Sequence, residues 1–563
     1  MARPLKTWLA AAGSGLLALS GTGFAQDQAA GTVQAPLPLA PEVKGPRPKS
    51  DPSVLAPAAT KLDPSLQKLA APATLALPNK PEQVRIVELR PLSLKDVENL
   101  AEVNNPSLKA IASQVDQAQS NLRAQLAAWY PTLSISADGF PSYTGGSQRV
   151  TDKQSSANPF AGVPGVETKT YSSANRWVMA ANLSAQWDLI NPQRVPQISA
   201  ARDQFEQAKN QYLISLRELR LQAAQAYFKL QLSDDTVRIG QESVRASLVS
   251  LRDARARFQA GVATKLEVLE AETQLARDQQ LLTNALADQS IDRRNLARLL
   301  DLPQNITPTA KEQLQPLGVW TASLQESVIA AYAFREELDN ALLDISASNS
   351  QANSALGSVQ PFLTIFNSLT TDRYQGSQRI IVDEPGLSGW NVLNTIGLQA
   401  RWNIFDGGAA RAQYRQAKQQ AQENSFRFAD TRDQLRFEVE ESFYQLRQAS
   451  RNIQTTSREV ISSRESLRLA RLRFQAGVST QREVVDNQRD LTQAEVRYAT
   501  ALAEYNNNLA QLRRRTGLDQ VAVCQPNSLG ATKPVLEAME NIPVPPEPLQ
   551  PACQASIPAK AAS

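Results

Sequence analysis

The stretch RFQAGVATKLEVLEAE (residues 257–272) returns later in the chain as RFQAGVSTQREVVDNQ (residues 473–488). Both copies lie inside a longer similarity, which runs without gaps from about residue 216 to residue 302 of the first copy. Shorter matches precede it: YPTLSIS (130–136) resembles QPFLTIF (360–366), and LSAQWDL (183–189) resembles LQARWNI (398–404). An ordered duplication of this kind predicts two tandem copies of one unit of roughly 200 residues.

The repeated stretch has the features of a reversal between two helices. Gly261 and its counterpart Gly477 stand where a helix would need a left-handed residue in order to end. The T-x-x-E patterns at residues 264–267 and 480–483 are capping boxes, which start a new helix. The sequence therefore predicts two helical hairpins, each with a tight tip.

The helices that enter these tips are predicted to be long coiled-coil rods. An apolar residue recurs every seven positions in the first copy, at Leu216, Ala223, Leu230, Val237, Val244, Leu251 and Phe258. A strict heptad of this length predicts left-handed supercoiling against neighbouring helices. The first rod is predicted from Asn191 and Pro192, an N-cap followed by proline at the first helical position, to Ala260. About 65 residues would span roughly 100 Å.

Two strands are predicted ahead of each rod, and their pattern is that of a membrane barrel. Apolar residues alternate with polar ones over about ten residues, between Trp177 and Trp187 and again between Trp390 and Trp402. Tryptophan at both ends of such strands fits the aromatic girdles of an outer-membrane barrel; the alternative is a soluble, half-buried sheet. Four strands per chain cannot close a barrel, and lipid tolerates no open sheet edge. At least two chains are therefore needed, and three would supply twelve strands.

The fold class predicted is mainly α with a membrane β-barrel, arranged in segments. Residues 1–25 form a secretory signal peptide, with basic Arg3 and Lys6, an apolar stretch and cleavage after Ala25. A Pro/Ala-rich, flexible or partly extended segment follows at 26–90. The first repeat is 91–305, a linker is 306–320, the second repeat is 321–519 and a Pro-rich tail is 520–563. Cys524 and Cys553 of that tail either pair in an oxidising compartment or remain two unpaired thiols.

Composition excludes several classes of function. The 59 basic and 55 acidic residues nearly balance and form no basic run, so nucleic acid is not an expected partner. The chain has no histidine, the commonest general base and metal ligand. No nucleophile or phosphate-loop motif is present. We therefore expect no enzyme activity, no cofactor and no metal site.

The duplicated tips, the approach NNPSL…YPTLSIS and the strand endings WDLINP and WNIFDGG resemble the outer membrane efflux protein family of TolC-like channels over about residues 91–519. This resemblance implies a homotrimer with a twelve-stranded barrel in the outer-membrane lipid and an α-helical barrel in the periplasm. It also implies work with a periplasmic adaptor protein and an inner-membrane pump of the ABC or RND type, in drug efflux or type I protein secretion. The exported substrate and the particular pump are not specified by the sequence.

The resemblance also assigns roles to residues. Glu267, Glu483 and Asp486 match acidic positions of the family's periplasmic aperture, where three chains would form carboxylate rings; the alternative for Glu267 and Glu483 is helix capping alone. The residues expected to dock the adaptor are Arg257, Phe258, Gly261, Val262, Thr264, Arg473, Phe474, Gly477, Val478 and Thr480. Phe474 and Ser479 depart from the Tyr and Arg of the family's gating links, so the family's gating bonds are not carried over.

Two rival classes remain at this point. A periplasmic coiled-coil adaptor also carries helical hairpins, but normally a single one, and a structural coiled-coil protein of an export complex would not need alternating strands. Heat-modifiable trimers in outer-membrane fractions would favour the channel over both.

Overall fold

The computed structural model describes residues 59–153, 167–379, 383–519 and 521–523. The predicted signal peptide, the first part of the Pro/Ala-rich segment and both cysteines lie outside the described residues. Within them, two repeats follow one another in the order that the duplication predicts.

Eight principal helices and eight strands form the described structure. The helices are α1 (Leu94–Asn104), α2 (Pro106–Leu126), α3 (Arg194–Gln259), α4 (Lys265–Leu299), α5 (Leu324–Phe334), α6 (Glu336–Gly357), α7 (Ala409–Gln475) and α8 (Gln481–Thr516). The strands are β1 (Glu88–Leu92), β2 (Thr132–Lys153), β3 (Glu167–Ile190), β4 (Ile306–Ala310), β5 (Gly318–Trp320), β6 (Phe362–Arg379), β7 (Asp383–Arg401) and β8 (Val521–Val523). The first repeat runs α1–α2–β2–β3–α3–α4 and the second α5–α6–β6–β7–α7–α8.

The sequence of each repeat predicts the order helix, strand, strand, long helix, turn, long helix. The single helix before the strand pair is wrong, because each repeat has two helices there. In the first repeat Asn105 breaks the helix: its side-chain oxygen accepts the N–H of Leu108 at 3.1 Å and starts α2, with Pro106 at the first helical position. In the second repeat Arg335 takes an extended conformation between α5 and α6. The duplication therefore extends to the position of the break.

The long rods are confirmed, with a small change at the start. Helices α3 and α7 have 66 and 67 residues, so each spans roughly 100 Å. Helix α3 begins at Arg194 rather than at Asn191, because Asn191 first forms a turn whose side chain accepts the N–H of Gln193 at 3.1 Å. Heptad positions are buried along both rods, for example Leu230 and Ile453. No helix of the described residues combines the length and apolar character needed to cross a membrane.

The long strands form one antiparallel sheet in the order β2–β3–β6–β7. The predicted strand length of about ten residues is wrong: these strands have 22, 24, 18 and 19 residues. Alternation of apolar and polar side chains marks β3 from Trp177 to Trp187 and β7 from Trp390 onward. Backbone pairing continues outside these segments, in sequence that carries no such signal.

The two predicted connecting segments contain structure that the sequence did not indicate. In residues 26–90 a short 3-10 helix, Pro64–Leu69, buries Leu66 and Leu69 against the first repeat, so the flexible-linker prediction is wrong there. The predicted linker 306–320 contains β4, which pairs in parallel with β1, and β5, which pairs antiparallel with β8. These strands are short and pair with strands about 200 residues away in the sequence. Their pairing therefore leaves no local sequence pattern from which it could be predicted.

Candidate functional site

The two hairpin tips end their incoming helices in the same way. Gly261 has φ +70° and Gly477 has φ +76°, the left-handed conformation predicted for both. At the first tip the N–H of Gly261 donates to the carbonyl of Phe258 and that of Val262 to the carbonyl of Arg257, each at 3.0 Å. The second tip repeats this pair of bonds at 3.1 and 3.0 Å. This is the Schellman arrangement, which satisfies carbonyls that the helix end would leave free.

The outgoing helices start differently at the two tips. At the first, the backbone N–H and the hydroxyl of Thr264 donate to the carboxylate of Glu267 at 3.3 and 3.4 Å, in agreement with the capping box. At the second, the predicted side-chain cap is wrong. Glu483 instead accepts hydrogen bonds from Arg473, at 2.8 Å, and from the hydroxyl of Ser479. A guanidinium ion within reach is a stronger partner for the carboxylate than the neutral donors of Thr480.

The carboxylate expected beside Glu483 also has cationic neighbours. Asp486 lies 3.4 Å from a guanidinium nitrogen of Arg489 and 3.9 Å from one of Arg482. All of these side chains are one turn apart on α8, where i,i+3 and i,i+4 residues meet. The i,i+3 and i,i+4 spacing that places Arg489 and Arg482 beside Asp486 is present in the sequence. The second tip therefore carries three arginines around its two carboxylates.

The two tips contact each other within the chain. The guanidinium carbon of Arg257 lies 4.2 Å from the centre of the Phe474 ring, a cation–π contact between the two copies of the repeated stretch. Gln481 is buried and donates to the hydroxyl of Ser250 on α3. A cavity of about 630 Å³ lies between the hairpins beside these contacts. The structure therefore brings the tip residues of both repeats together.

Apolar side chains remain exposed at the ends of both hairpins. Val262 and Val478, which follow the glycines, are 66% and 67% exposed, and Phe258 is 45% exposed. The first tip adds Leu266 and Leu269, whereas the second has Arg482 and Val485 at the aligned positions. Paired apolar side chains on a rigid turn offer a surface for another protein.

One face of the four-stranded sheet is mainly apolar and exposed, although Asn367 and Asn394 also lie on it. Cross-strand neighbours share a face, and the register places Leu183 opposite Ile135 and Ile365 opposite Leu398. The exposed apolar residues of this face include Leu133, Ile135, Trp177, Trp187, Trp390, Val392, Ile396 and Leu398. Such a face needs an apolar environment.

The opposite face is polar and its side chains bond across the strands. The hydroxyls of Ser134 and Ser184 are 2.7 Å apart, and Ser368 donates to Asn182 at 2.9 Å. Apolar residues also lie on this face, among them Val178, Phe366 and Leu393. A sheet with one apolar and one mainly polar face matches a barrel wall between lipid and a water-filled interior.

Trp187 and Trp402 occupy equivalent places in the two repeats. The indole N–H of Trp187 donates to the carbonyl of Trp129 at 3.0 Å, and that of Trp402 donates to the carbonyl of Val359 at 3.1 Å. Trp177 lies ten residues from Trp187 on β3, which is roughly 33 Å along a strand. A strand tilted by 35–45° would bring this to an apolar band about 25 Å tall. Strand β3 therefore continues for ten residues beyond Trp177, outside that band.

Within the described residues, no group of three or more Asp, Glu, Cys or His side chains is arranged to hold a metal ion. The candidate site thus consists of surfaces and charged side chains at the tips, together with the two-faced sheet.

Comparison with known proteins gives consistent results. The family model described as outer membrane efflux protein matches residues 97–301 and 330–518. The chain is 23% identical over 467 residues to the outer membrane protein TolC of Escherichia coli strain K12, covering 80% of this chain and 88% of that protein. The fold is similar to that of the outer membrane protein VceC of Vibrio cholerae, with a TM-score of 0.57 at 17% identity over 76% of this chain and 96% of that one. It is also similar to the Campylobacter jejuni CmeC outer membrane channel, with a TM-score of 0.56 at 15% identity over 80% and 95% of the two chains.

Proposed function

The chain belongs to the outer membrane efflux protein family, and from this premise we propose that it is the outer-membrane exit duct of a tripartite export system. Three copies form one twelve-stranded barrel in the lipid, and their helical hairpins form a tube in the periplasm. The duct passes drugs, other small molecules or secreted proteins from the periplasmic side to the exterior.

The two-faced, four-stranded sheet is the observation that carries this proposal. Its outer strands, β2 and β7, each pair on one side only within the described chain. Unpaired backbone N–H and C=O groups are not tolerated in the hydrocarbon of a membrane. Pairing β2 of one copy with β7 of the next removes every free edge, and three copies close a twelve-stranded ring.

The hairpin tips support the proposed partners. The exposed Val262 and Val478 at the helix ends form the apolar surface that a periplasmic adaptor would cover. The adaptor in turn would connect the duct to an inner-membrane pump. In this arrangement Glu483 and Asp486 line the periplasmic aperture, with Arg473, Arg482 and Arg489 beside them.

Native mass spectrometry of the protein extracted from outer membranes tests the assembly, and planar-bilayer recording tests conduction. We expect a trimer that forms a conducting pore. A stable, membrane-inserted monomer would contradict the shared barrel. A chain that associates with the membrane without conducting would instead favour the periplasmic adaptor.

A further inference from the structure

The two copies of the repeated stretch share an Arg, a Phe and a Glu at aligned positions, but these side chains do not make the same contacts. Arg257 crosses to the other hairpin and lies over the ring of Phe474. Its aligned counterpart Arg473 folds back onto Glu483 of its own tip, at 2.8 Å. Phe258, the counterpart of Phe474, is 45% exposed, and no cation of the described residues lies over its ring. The chain thus contains one of two equivalent cation–π contacts. The second would join Arg473 and Phe258, which do not contact each other within the chain.

The shorter helices α2 and α6, which pack along the rods, also differ between the two repeats. Helix α6 packs between α3 and α7, and it buries residues on both sides, including Leu338, Leu343 and Ala352. Its counterpart α2 packs along α3 and buries only Leu108 over its 21 residues. The counterpart surface on α7 is uncovered too, since Phe426 and Phe437 are 67% and 58% exposed.

A residue comparison identifies what fits that uncovered surface. On α3, Asn210 donates to Asn340 of α6 at 3.0 Å. Counted back along the two continuous rods from the aligned tips, Asn210 corresponds to Phe426 on α7. Counted from the starts of α2 and α6 at Pro106 and Glu336, Asn340 corresponds to Ala110 on α2. A polar pair within the chain thus corresponds to an aromatic ring and a methyl group, which suit each other when they are brought together. Within one chain, α2 packs on α3 and therefore does not cover this face of α7. The α2 that covers it would belong to a second copy.

We propose that a second copy of this chain completes the tip, with Arg473 of one copy stacked on Phe258 of the next. This inference rests on the proposed function, which places copies side by side around one axis. The contact repeats between copies what Arg257 and Phe474 make within one. To reach Phe258, Arg473 leaves Glu483, and that carboxylate becomes free to cap Thr480 as Glu267 caps Thr264. The exchange is energetically balanced, because an exposed ion pair and an exposed cation–π contact contribute similar, small stabilisation.

Site-specific crosslinking tests the contact. In a Cys524→Ser, Cys553→Ser background, the pair Phe258→Cys with Arg473→Cys is treated with a short bismaleimide and run on a denaturing gel. We expect covalent dimers and trimers. The matched control is Arg257→Cys with Phe474→Cys, which we expect to link within one chain and to migrate as a monomer. Native mass spectrometry of both variants, before crosslinking, shows whether they assemble.

The outcomes separate this inference from the proposed function. Trimers in the native spectrum without crosslinking of the 258/473 pair overturn the inference and leave the duct intact. Absence of trimers for the parent chain overturns the proposed function and the inference with it. Crosslinking between chains by the 257/474 control overturns the inference as well, because the contact used as its template would then lie between copies.

A second measurement does not depend on cysteine chemistry. Arg473→Ala and Phe258→Ala should each lower the temperature at which trimers dissociate, and the double variant should lower it no further than the larger single effect. Additive shifts would show that the two side chains do not interact. Arg473→Lys should retain part of the parent's stability, since an ammonium ion also binds an aromatic face.

Discussion

At the scale of single residues, the backbone and the side chains of the tips follow different rules. The glycines act through local geometry, so both copies of the repeated stretch end their helices identically. The carboxylates act through whichever cation is nearest, so Glu267 caps its helix while Glu483 binds Arg473. Local sequence was therefore enough to predict the turn, but it was not enough to predict the partner of Glu483.

Replacing either tip glycine by valine should damage export more than membrane insertion. A Cβ built on Gly261 or Gly477 meets nothing within 4 Å, so the cost is entirely that of the positive φ, about 1–2 kcal/mol. The chain can relieve that strain only by opening the tip. Export of a fluorescent dye and adaptor pull-down measure the effect. Gly477→Asn is the control, since asparagine tolerates the left-handed region. Normal export and adaptor binding by both valine variants would show that the tip geometry is not used.

The charge of the proposed aperture should respond in opposite directions to two neighbouring substitutions. Asp486→Asn removes a carboxylate and should weaken cation preference and block by multivalent cations. Arg489→Gln removes the guanidinium 3.4 Å from Asp486 and should strengthen both. Reversal potentials in planar bilayers under a salt gradient measure the preference. If both variants keep the parent's selectivity while still trimeric, Asp486 is a solvated helix charge away from the ion path.

At the scale of elements, a network of ion pairs joins helices α6, α7 and α8 of the second repeat. Arg335, between α5 and α6, is buried. Its guanidinium nitrogens lie 2.7 Å from a carboxylate oxygen of Glu337 on α6 and 2.7 Å from one of Glu438 on α7. Arg514 of α8 binds the same Glu337 at 3.1 Å. Burial alone would raise the pKa of Glu337, but Arg335 and Arg514 outweigh it and lower the pKa to about 2. The charged side chains of α6, α7 and α8 therefore find their ion-pair partners only when these three helices pack together.

Glu337→Gln should destabilise the helical part in a manner that depends on pH. A carboxyl group whose pKa falls to about 2 on folding contributes on the order of 3 kcal/mol of stability above its unfolded pKa of about 4.3. That contribution disappears as the pH falls through 2. The difference between parent and variant in denaturant midpoint, followed by circular dichroism, should be large at pH 7 and small near pH 2. Glu465→Gln, which breaks an exposed pair with Arg468, should leave the midpoint unchanged at both. An equal loss at both pH values would mean that Glu337 acts through packing rather than charge.

The elements also mark the limit of what the sequence could predict. Heptads and alternation are local patterns, and they predicted the rods and the strand pairs. Strands β1, β4, β5 and β8 have three to five residues each, and their pairing depends on partners far along the chain. The same limit applies to the bond between Gln481 and Ser250, which no spacing within the repeated stretch encodes.

At the scale of the whole molecule, several surfaces of the described chain have no neighbour within that chain. The apolar face of the sheet, the free edges of β2 and β7, the outer side of α2 and the ring of Phe258 all lack cover in one described chain. In the proposed trimer, lipid would cover the apolar face of the sheet. The neighbouring copies would cover the strand edges, the outer side of α2 and the ring of Phe258. Lipid contact and contact between copies are therefore expected to stabilise the same assembly.

The two faces of β7 provide the sharpest test of the barrel. Ile396 lies midway between Trp390 and Trp402 on the apolar face and is 70% exposed, while its neighbour Thr395 points to the polar face. Ile396→Arg should cost about 2–4 kcal/mol of membrane stability, the value for arginine near the bilayer midplane. Thr395→Arg adds the same charge one residue away, into the proposed water-filled interior, and should assemble normally with altered conductance. Heat-resistant trimers in outer-membrane fractions measure the first effect and single-channel current the second. Because a one-residue step reverses the face, equal loss of assembly by both variants would mean that the sheet is buried on both sides, and the barrel would have to be abandoned.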